Sequence, residues 1–139
     1  MQSLKYKSIK RLNAYNLQEI LVVLVIIGIL LLLAMPSLMK YITKAKSTEA
    51  KIGLIRLHND QTTYRYMYSK FTMDLSETDF ETDKTTLEGG KARYIYDMIN
   101  ASNSTFKARA TAIEDFDGDG IFNVWEIDEN GVPKETVKD

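Results

Sequence analysis

The sequence predicts an α+β chain. One long N-terminal helix, apolar in its first half and amphipathic in its second, packs on a small C-terminal antiparallel sheet. Three observations predict this. No charged residue occurs from Ile20 to Met39, a run long enough to cross a hydrocarbon core as a helix. From Leu38 to about Tyr68, apolar residues recur at helical spacing with no turn cluster between them. After Gly90, short aromatic and β-branched runs alternate with turn sequences.

The 139 residues give room for one domain plus an anchor. The absence of cysteine excludes a disulfide framework and thiolate chemistry. Formal net charge is −1, from 18 Lys+Arg against 19 Asp+Glu, but the charges are unevenly placed. Residues 1–14 hold Lys5, Lys7, Lys10 and Arg11 and no acid. Without them, 14 basic residues face 19 acidic ones. The basic patch belongs to the leader, which speaks against nucleic-acid binding by the rest of the chain and suits a domain kept soluble by negative charge.

Met1–Ala14 reads as a charged leader facing the cytoplasm. A secretory signal would place a small-residue cleavage site after the apolar run. There, Ala34 is followed by Met35 and Pro36 without an A-x-A pattern. A small residue does precede the run, at Ala14. The expected cut is on the cytoplasmic side, and it leaves the apolar segment, residues 15–39, in place.

The stretch NAYNLQEILVVLVIIGILLLLAMPSLMKY resembles the N-terminal signature of type IV pilins and of type II secretion pseudopilins. In that family a basic leader ends in a small residue. An aromatic first mature residue, an acid at the fifth mature position, an apolar run and a proline follow. Those roles fall on Ala14, Tyr15, Glu19, Ile20–Met35 and Pro36. Ala14 stands for the usual Gly and Tyr15 for the usual Phe. The resemblance implies cleavage by a prepilin peptidase between Ala14 and Tyr15 and methylation of the Tyr15 amine. It further implies polymerisation by an assembly ATPase and a platform membrane protein. The subunit would wait in the inner membrane as a single-pass protein, its globular domain outside the cytoplasm, and then join a periplasmic or cell-surface filament.

The physical reading of Glu19 agrees. A carboxylate in a membrane helix costs about 2.5–3.5 kcal/mol at mid-depth and less near the edge, and near the helix N-terminus it gains from the dipole. After cleavage it would pair with the Tyr15 ammonium of its own or a neighbouring subunit, because a buried charge left unpaired is strongly unfavourable. The bland alternative is an interfacial acid with no specific partner. Pro36 is expected to kink or locally unwind the helix. Gly28 is either a point of close helix approach or incidental.

Beyond Pro36, the apolar face is expected on Leu38, Tyr41, Ile42, Ala45, Ile52, Leu54, Ile55 and Leu57, with Lys40, Lys44, Lys46, Glu49, Lys51 and Arg56 on the other face. A helix from Tyr15 to Tyr68 would be roughly 80 Å long at the usual helical rise. Tyr64, Tyr66, Met67 and Tyr68 are expected to pack on the sheet rather than to form a ligand-stacking surface. Ser69–Gly90 reads as a loop with a helical turn near Leu75–Phe80, capped by Ser76 and Asp79, and a turn at Gly89–Gly90. Strands are expected at Lys91–Ile99, Thr105–Ile113 and Ile121–Asp128, joined as an antiparallel meander. Residues 40–139 would form the globular domain. The sheet segments also resemble the C-terminal sheet of type IV pilins, so the likeness covers nearly the whole chain and the expected fold is pilin-like.

One constellation carries chemistry. DFDGDGIFNVWE, Asp115 to Glu126, fits the calcium loop D-x-D-x-D-G-x5-E. Asp115, Asp117 and Asp119 would supply oxygens, Ile121 its carbonyl, Asn123 a water-mediated contact and Glu126 a bidentate carboxylate. Both flanks read as strands rather than EF-hand helices, so Glu126 would be drawn away along the sheet. The alternative is an Asp/Gly-rich hairpin turn. The resemblance adds that major pseudopilins carry calcium in a C-terminal loop. The single histidine, His58, lies on the helix, and no nucleophile elbow or phosphate loop occurs. No enzymatic role is therefore expected.

The sequence points to a filament subunit of a type II secretion pseudopilus or a type IV pilus. The small sheet and acidic loop lean toward a major pseudopilin. A second hypothesis is a single-pass anchor presenting a calcium-dependent binding module that does not polymerise.

Overall fold

The computed structural model describes residues 16–139. The leader and the expected cleavage and methylation positions, Ala14 and Tyr15, lie outside the described residues. The chain divides into two units, one ending at Pro36 and one from Ser37 to Asp139. Each is taken by itself.

In the first unit the helix α1 (Leu17–Tyr68) begins. Its Leu17–Met35 segment is long and apolar enough to cross a membrane. Every side chain of that segment is exposed, with Leu24 at 63 % and Leu32 at 74 %. A Cβ at Gly28 would meet nothing within 4 Å, so nothing among the described residues requires a glycine there. The backbone stays helical at Pro36.

In the second unit, α1 buries Thr43, Ser47, Ala50, Leu54, Leu57, Gln61 and Tyr64. The steps alternate between four and three residues, which keeps the stripe on one helix face. This face is not the expected one. Leu54 and Leu57 belong to it, but Leu38, Tyr41, Ile42, Ala45, Ile52 and Ile55 are exposed. Polar members of the stripe have partners. Gln61 donates to the Thr72 carbonyl at 2.9 Å and accepts from the Thr72 amide at 3.1 Å, satisfying groups that burial would otherwise penalise. Several cations expected to face water instead flank the stripe and lie over aromatic rings. Lys46 sits 4.5 Å from the Phe116 centroid and Lys51 4.4 Å from that of Trp125. Of the aromatic cluster closing the helix, only Tyr64 is buried. Tyr66, Met67 and Tyr68 stay exposed, contrary to expectation.

The connection holds two single 3-10 turns, Leu75–Glu77 and Thr86–Glu88. The first is capped by Asp74, whose side chain accepts from the Ser76 amide, rather than by Ser76 and Asp79. The second ends on Gly89 in the left-handed region, which places the expected turn. A Tyr64–Glu77–Thr72 cluster pins this loop to the helix: both hydroxyls donate to Glu77 Oε2, at 2.7 and 2.8 Å.

Four strands follow: β1 (Tyr94–Ala101), β2 (Phe106–Ala112), β3 (Val124–Asp128) and β4 (Lys134–Val137). They form one antiparallel meander in the order β1-β2-β3-β4. The expected first and third strands start three residues early, because Lys91–Arg93 and Ile121–Asn123 are spent on turns and loop. β4 was not foreseen. It is short, exposed throughout, follows Pro133, and pairs with β3 across a register shift. The β2 burial alternates strictly, with Phe106, Ala108, Ala110 and Ala112 inside. These residues join Ala50, Leu54, Leu57, Phe71, Tyr94, Trp125 and Ile127 in one apolar cluster. The expected layering of a long helix and a small antiparallel sheet is therefore present.

Candidate functional site

Two places in the chain carry the functional expectations, the start of α1 and the Asp115–Glu126 segment. At the helix start, Asn16 lies just outside α1 and Glu19 is its third residue. Glu19 Oε2 accepts from the Asn16 amide at 3.1 Å, while the Asn16 carbonyl accepts from the Glu19 amide at 3.0 Å. This is the acid half of a capping box, with the charge at the favourable end of the helix dipole. Glu19 is exposed, as are the apolar side chains that follow it. The carboxylate therefore reaches the surface of an otherwise apolar helical segment.

The acidic segment closes on itself. Asp115 accepts the Gly118 amide on Oδ1 at 2.6 Å and the Gly120 amide on Oδ2 at 2.7 Å. Asp117 accepts the Asp119 amide, and Asp119 the Ile121 amide. Gly118 and Gly120 sit at φ 85° and 88°, a conformation that side chains with a Cβ resist. The Gly120 amide above all holds the Asp115 carboxyl below its ordinary value.

The linear donor set is not brought together. Asn123 is fully buried. Its Oδ1 accepts from Tyr94 Oη at 2.7 Å and from Trp125 Nε1 at 2.6 Å. Its Nδ2 donates to Glu135 Oε1 at 2.8 Å and to the Val137 carbonyl at 3.1 Å. Asn123 is thus a structural hub under β4 rather than a loop ligand. Glu126 lies on β3 with Lys107 at 3.4 Å, drawn off along the sheet as its strand position implies. Ile121 is exposed, and Asp119 is not among the carboxylates that meet.

The acid that meets this segment is Asp139 rather than Glu126. Oxygens of Asp115, Asp117 and Asp139 lie within 4.8 Å of one another. Asp139 Oδ2 accepts from the Phe116 amide at 2.9 Å. Its Oδ1 is buried and has no partner among the described residues. Burial foremost, and then the charges of Asp117 and Asp115, push the Asp139 carboxyl above its ordinary value against the Phe116 amide. An oxygen-only set with an orphaned buried acceptor fits a hard cation such as calcium. No local signal could have found Asp139. It lies far along the chain from Asp115 and arrives only because β4 returns it.

His58 is half-buried on α1. Its Nε2 lies 3.2 Å from the Glu129 carbonyl and its ring leans on Phe106.

Residues 36–120 match the family model described as type IV minor pilin ComP, DNA uptake sequence receptor. No curated protein matches the chain.

Proposed function

The chain belongs to the type IV pilin family, a family of structural rather than catalytic proteins, and from that membership we propose that it is a filament subunit assembled through α1. The reading has it held in the inner membrane by Leu17–Met35, its second unit outside the cytoplasm. A prepilin peptidase cuts between Ala14 and Tyr15 and methylates Tyr15. An assembly ATPase and a platform protein then drive polymerisation. One observation supports this most. The apolar surface left open on α1 does not stop with the membrane-length segment: Leu38, Tyr41, Ile42, Ile52 and Ile55 stay exposed while a different stripe packs on the sheet. Burying a side chain of this size is worth about 1.5–3 kcal/mol, and sister subunits can supply that burial after lipid. N-terminal sequencing of the protein recovered from cells tests the reading. A chain starting at methylated Tyr15 supports it. An intact Met1 in cells with a working prepilin peptidase overturns it and leaves the non-polymerising anchor.

The family match is to a minor pilin and not specifically to a major pseudopilin, so a type IV pilus is the assembly proposed. The receptor role in the family's name is not extended to this chain. Ser37–Asp139 carries 14 Lys+Arg against 18 Asp+Glu. Duplex binding draws on free cations along the phosphate backbone, and this balance opposes it.

A second reading concerns the acidic segment, favoured by the orphaned Asp139 Oδ1. Asp115, Asp117 and Asp139 would hold calcium, whose charge would offset three crowded carboxylates. Thermal stability of the full chain should rise on adding calcium and fall with chelator, and Asp139→Asn should remove the difference. An identical Tm with and without chelator rejects the ion.

A further inference from the structure

The C-terminal end of α1 carries a feature that neither reading above uses. The helix ends at Tyr68, and Ser69 adopts φ 59° while its amide donates to the Arg65 carbonyl at 2.8 Å. The chain then turns back, and the Phe71 amide donates to the Ser102 carbonyl at 2.9 Å. On the other side, His58 Nε2 meets the Glu129 carbonyl at 3.2 Å. A carbonyl only accepts, so this nitrogen carries the proton. That bond ties the β3–β4 turn to the helix. Between the last helical turns, the reversal and the β3–β4 turn lies an open cavity of about 590 Å³, within the range of small-molecule sites, roughly 300–1,000 Å³. Its lining narrows the ligand. Tyr66 is 86 % exposed and enters no ring contact among the described residues, so its ring face is open. Arg65 and Glu129 both line the cavity, yet neither enters an ion pair among the described residues. Thr62 and Ser69 add hydroxyls. Thr62 donates to the His58 carbonyl at 2.8 Å, which leaves its oxygen free to accept.

We propose that this cavity binds one pyranose ring of a neutral oligosaccharide. Arginine offers only donors, and an ionised carboxylate only acceptors. A hydroxyl is both, so hydroxyls of one sugar ring can accept from Arg65 and donate to Glu129 together. Hydrogen bonds to charged groups of this kind are the strong ones. A carboxylate or phosphate ligand would satisfy Arg65 and be repelled by Glu129, and an ammonium ligand would meet the reverse. The apolar face of the sugar ring lies against the open Tyr66 ring, which offers a large rigid surface at little cost in order. A chain is favoured over a free sugar because the cavity is open on the Tyr66 side, where flanking rings meet no wall. The tyrosines closing α1 were expected to pack on the sheet rather than to stack a ligand, and at Tyr66 the exposed ring supports the second role. Every group involved lies in the Ser37–Asp139 unit, so the site does not depend on the filament reading.

Calorimetry on the full chain tests this, in an uncharged polyoxyethylene detergent that carries no sugar, with maltohexaose, cellohexaose and chitohexaose as probes. Glucose, a heparin hexasaccharide, single-stranded DNA and duplex DNA are titrated in parallel. Saturable binding of at least one neutral hexasaccharide below about 1 mM is expected. Tyr66→Ala and Glu129→Gln should each weaken it about tenfold or more. Both changes spare the fold, since Tyr66 is exposed and Glu129 holds His58 through its backbone. Tyr41→Ala, which removes another exposed tyrosine of α1, should leave binding unchanged. The proposal is overturned by no saturable binding of any of the three hexasaccharides, by equal molar potency of glucose, by tighter binding of the heparin fragment or of either DNA, or by equal effects of Tyr66→Ala and Tyr41→Ala.

Discussion

The phenol of Tyr96 occupies the space that a side chain at Gly53 would fill, and its hydroxyl donates to the Glu49 carbonyl at 3.2 Å. A glycine inside a helix is normally a weakness of about 1 kcal/mol relative to alanine. Here Gly53→Ala should destabilise the protein by about 1–2 kcal/mol, because the ring must shift and overpacking outweighs the gain in helix propensity. In a Tyr96→Ala background the same change should be neutral or stabilising. Denaturant unfolding of the four proteins checks this, and additive effects would dismiss the contact as the cause.

Asn123 serves two buried donors and two acceptors at once. Asn123→Ala leaves Tyr94 Oη and Trp125 Nε1 without their partner in the interior. It should lower stability by about 3 kcal/mol or more, with β4 losing amide protection first. Hydrogen exchange on Lys134–Val137 gives the readout, and unaltered protection there would show the hub to be dispensable.

Glu77 gives the connecting loop an acid sensitivity. The Tyr64 hydroxyl first, and then that of Thr72, hold its carboxyl below the ordinary value of 4.5. A depressed folded-state value stabilises the fold above the unfolded value and loses that contribution as pH falls through the folded one. Wild-type stability should therefore decline below about pH 4.5, and Glu77→Gln should show a flatter profile across that window. Parallel profiles for the two proteins would contradict the role.

Glu19 caps α1 in the single subunit, so Glu19→Ala should lose only about 0.3–1 kcal/mol of helix stability and should still enter the membrane. On the proposed function it should fail to build filaments. Membrane fractionation and filament shearing, done on the same cells, separate the two effects. Normal filaments from the variant remove Glu19 from assembly.

The helix, the meander and the apolar membrane-length segment were legible in the sequence because each has a strong period or length signal. The buried face of α1 was not. Periodicity counts every apolar residue destined for burial, whatever will bury it. Leu38, Tyr41, Ile42, Ile52 and Ile55 stand out as strongly as the true core positions. The face packed on the sheet includes Thr43, Ser47 and Gln61, whose polarity hides it, and Gln61 is admissible only because Thr72 meets both of its amide groups. β4 was hidden for a related reason. KETV has no apolar alternation, and its place in the sheet comes from pairing with β3 and from the bonds Asn123 makes to Glu135 and Val137. The acidic string could not show which acids meet, since a linear pattern cannot see that Asp139 comes to lie beside Asp115 and Asp117.

The two margins of the sheet bear on what kinds of aggregate this chain can form. One margin is β1, interrupted by an irregularity between Met98 and Asn100. The other is β4, four residues long, headed by Pro133 and Lys134 and fully wetted. Short, charged or kinked margins are how natural sheets refuse new strands. Exposed apolar side chains such as Tyr41, Ile52 and Ile55 put a molecule in danger of sticking indiscriminately. Its ladder of backbone amides is closed to new strands at both margins, so the sheet does not offer itself as a template for indiscriminate growth.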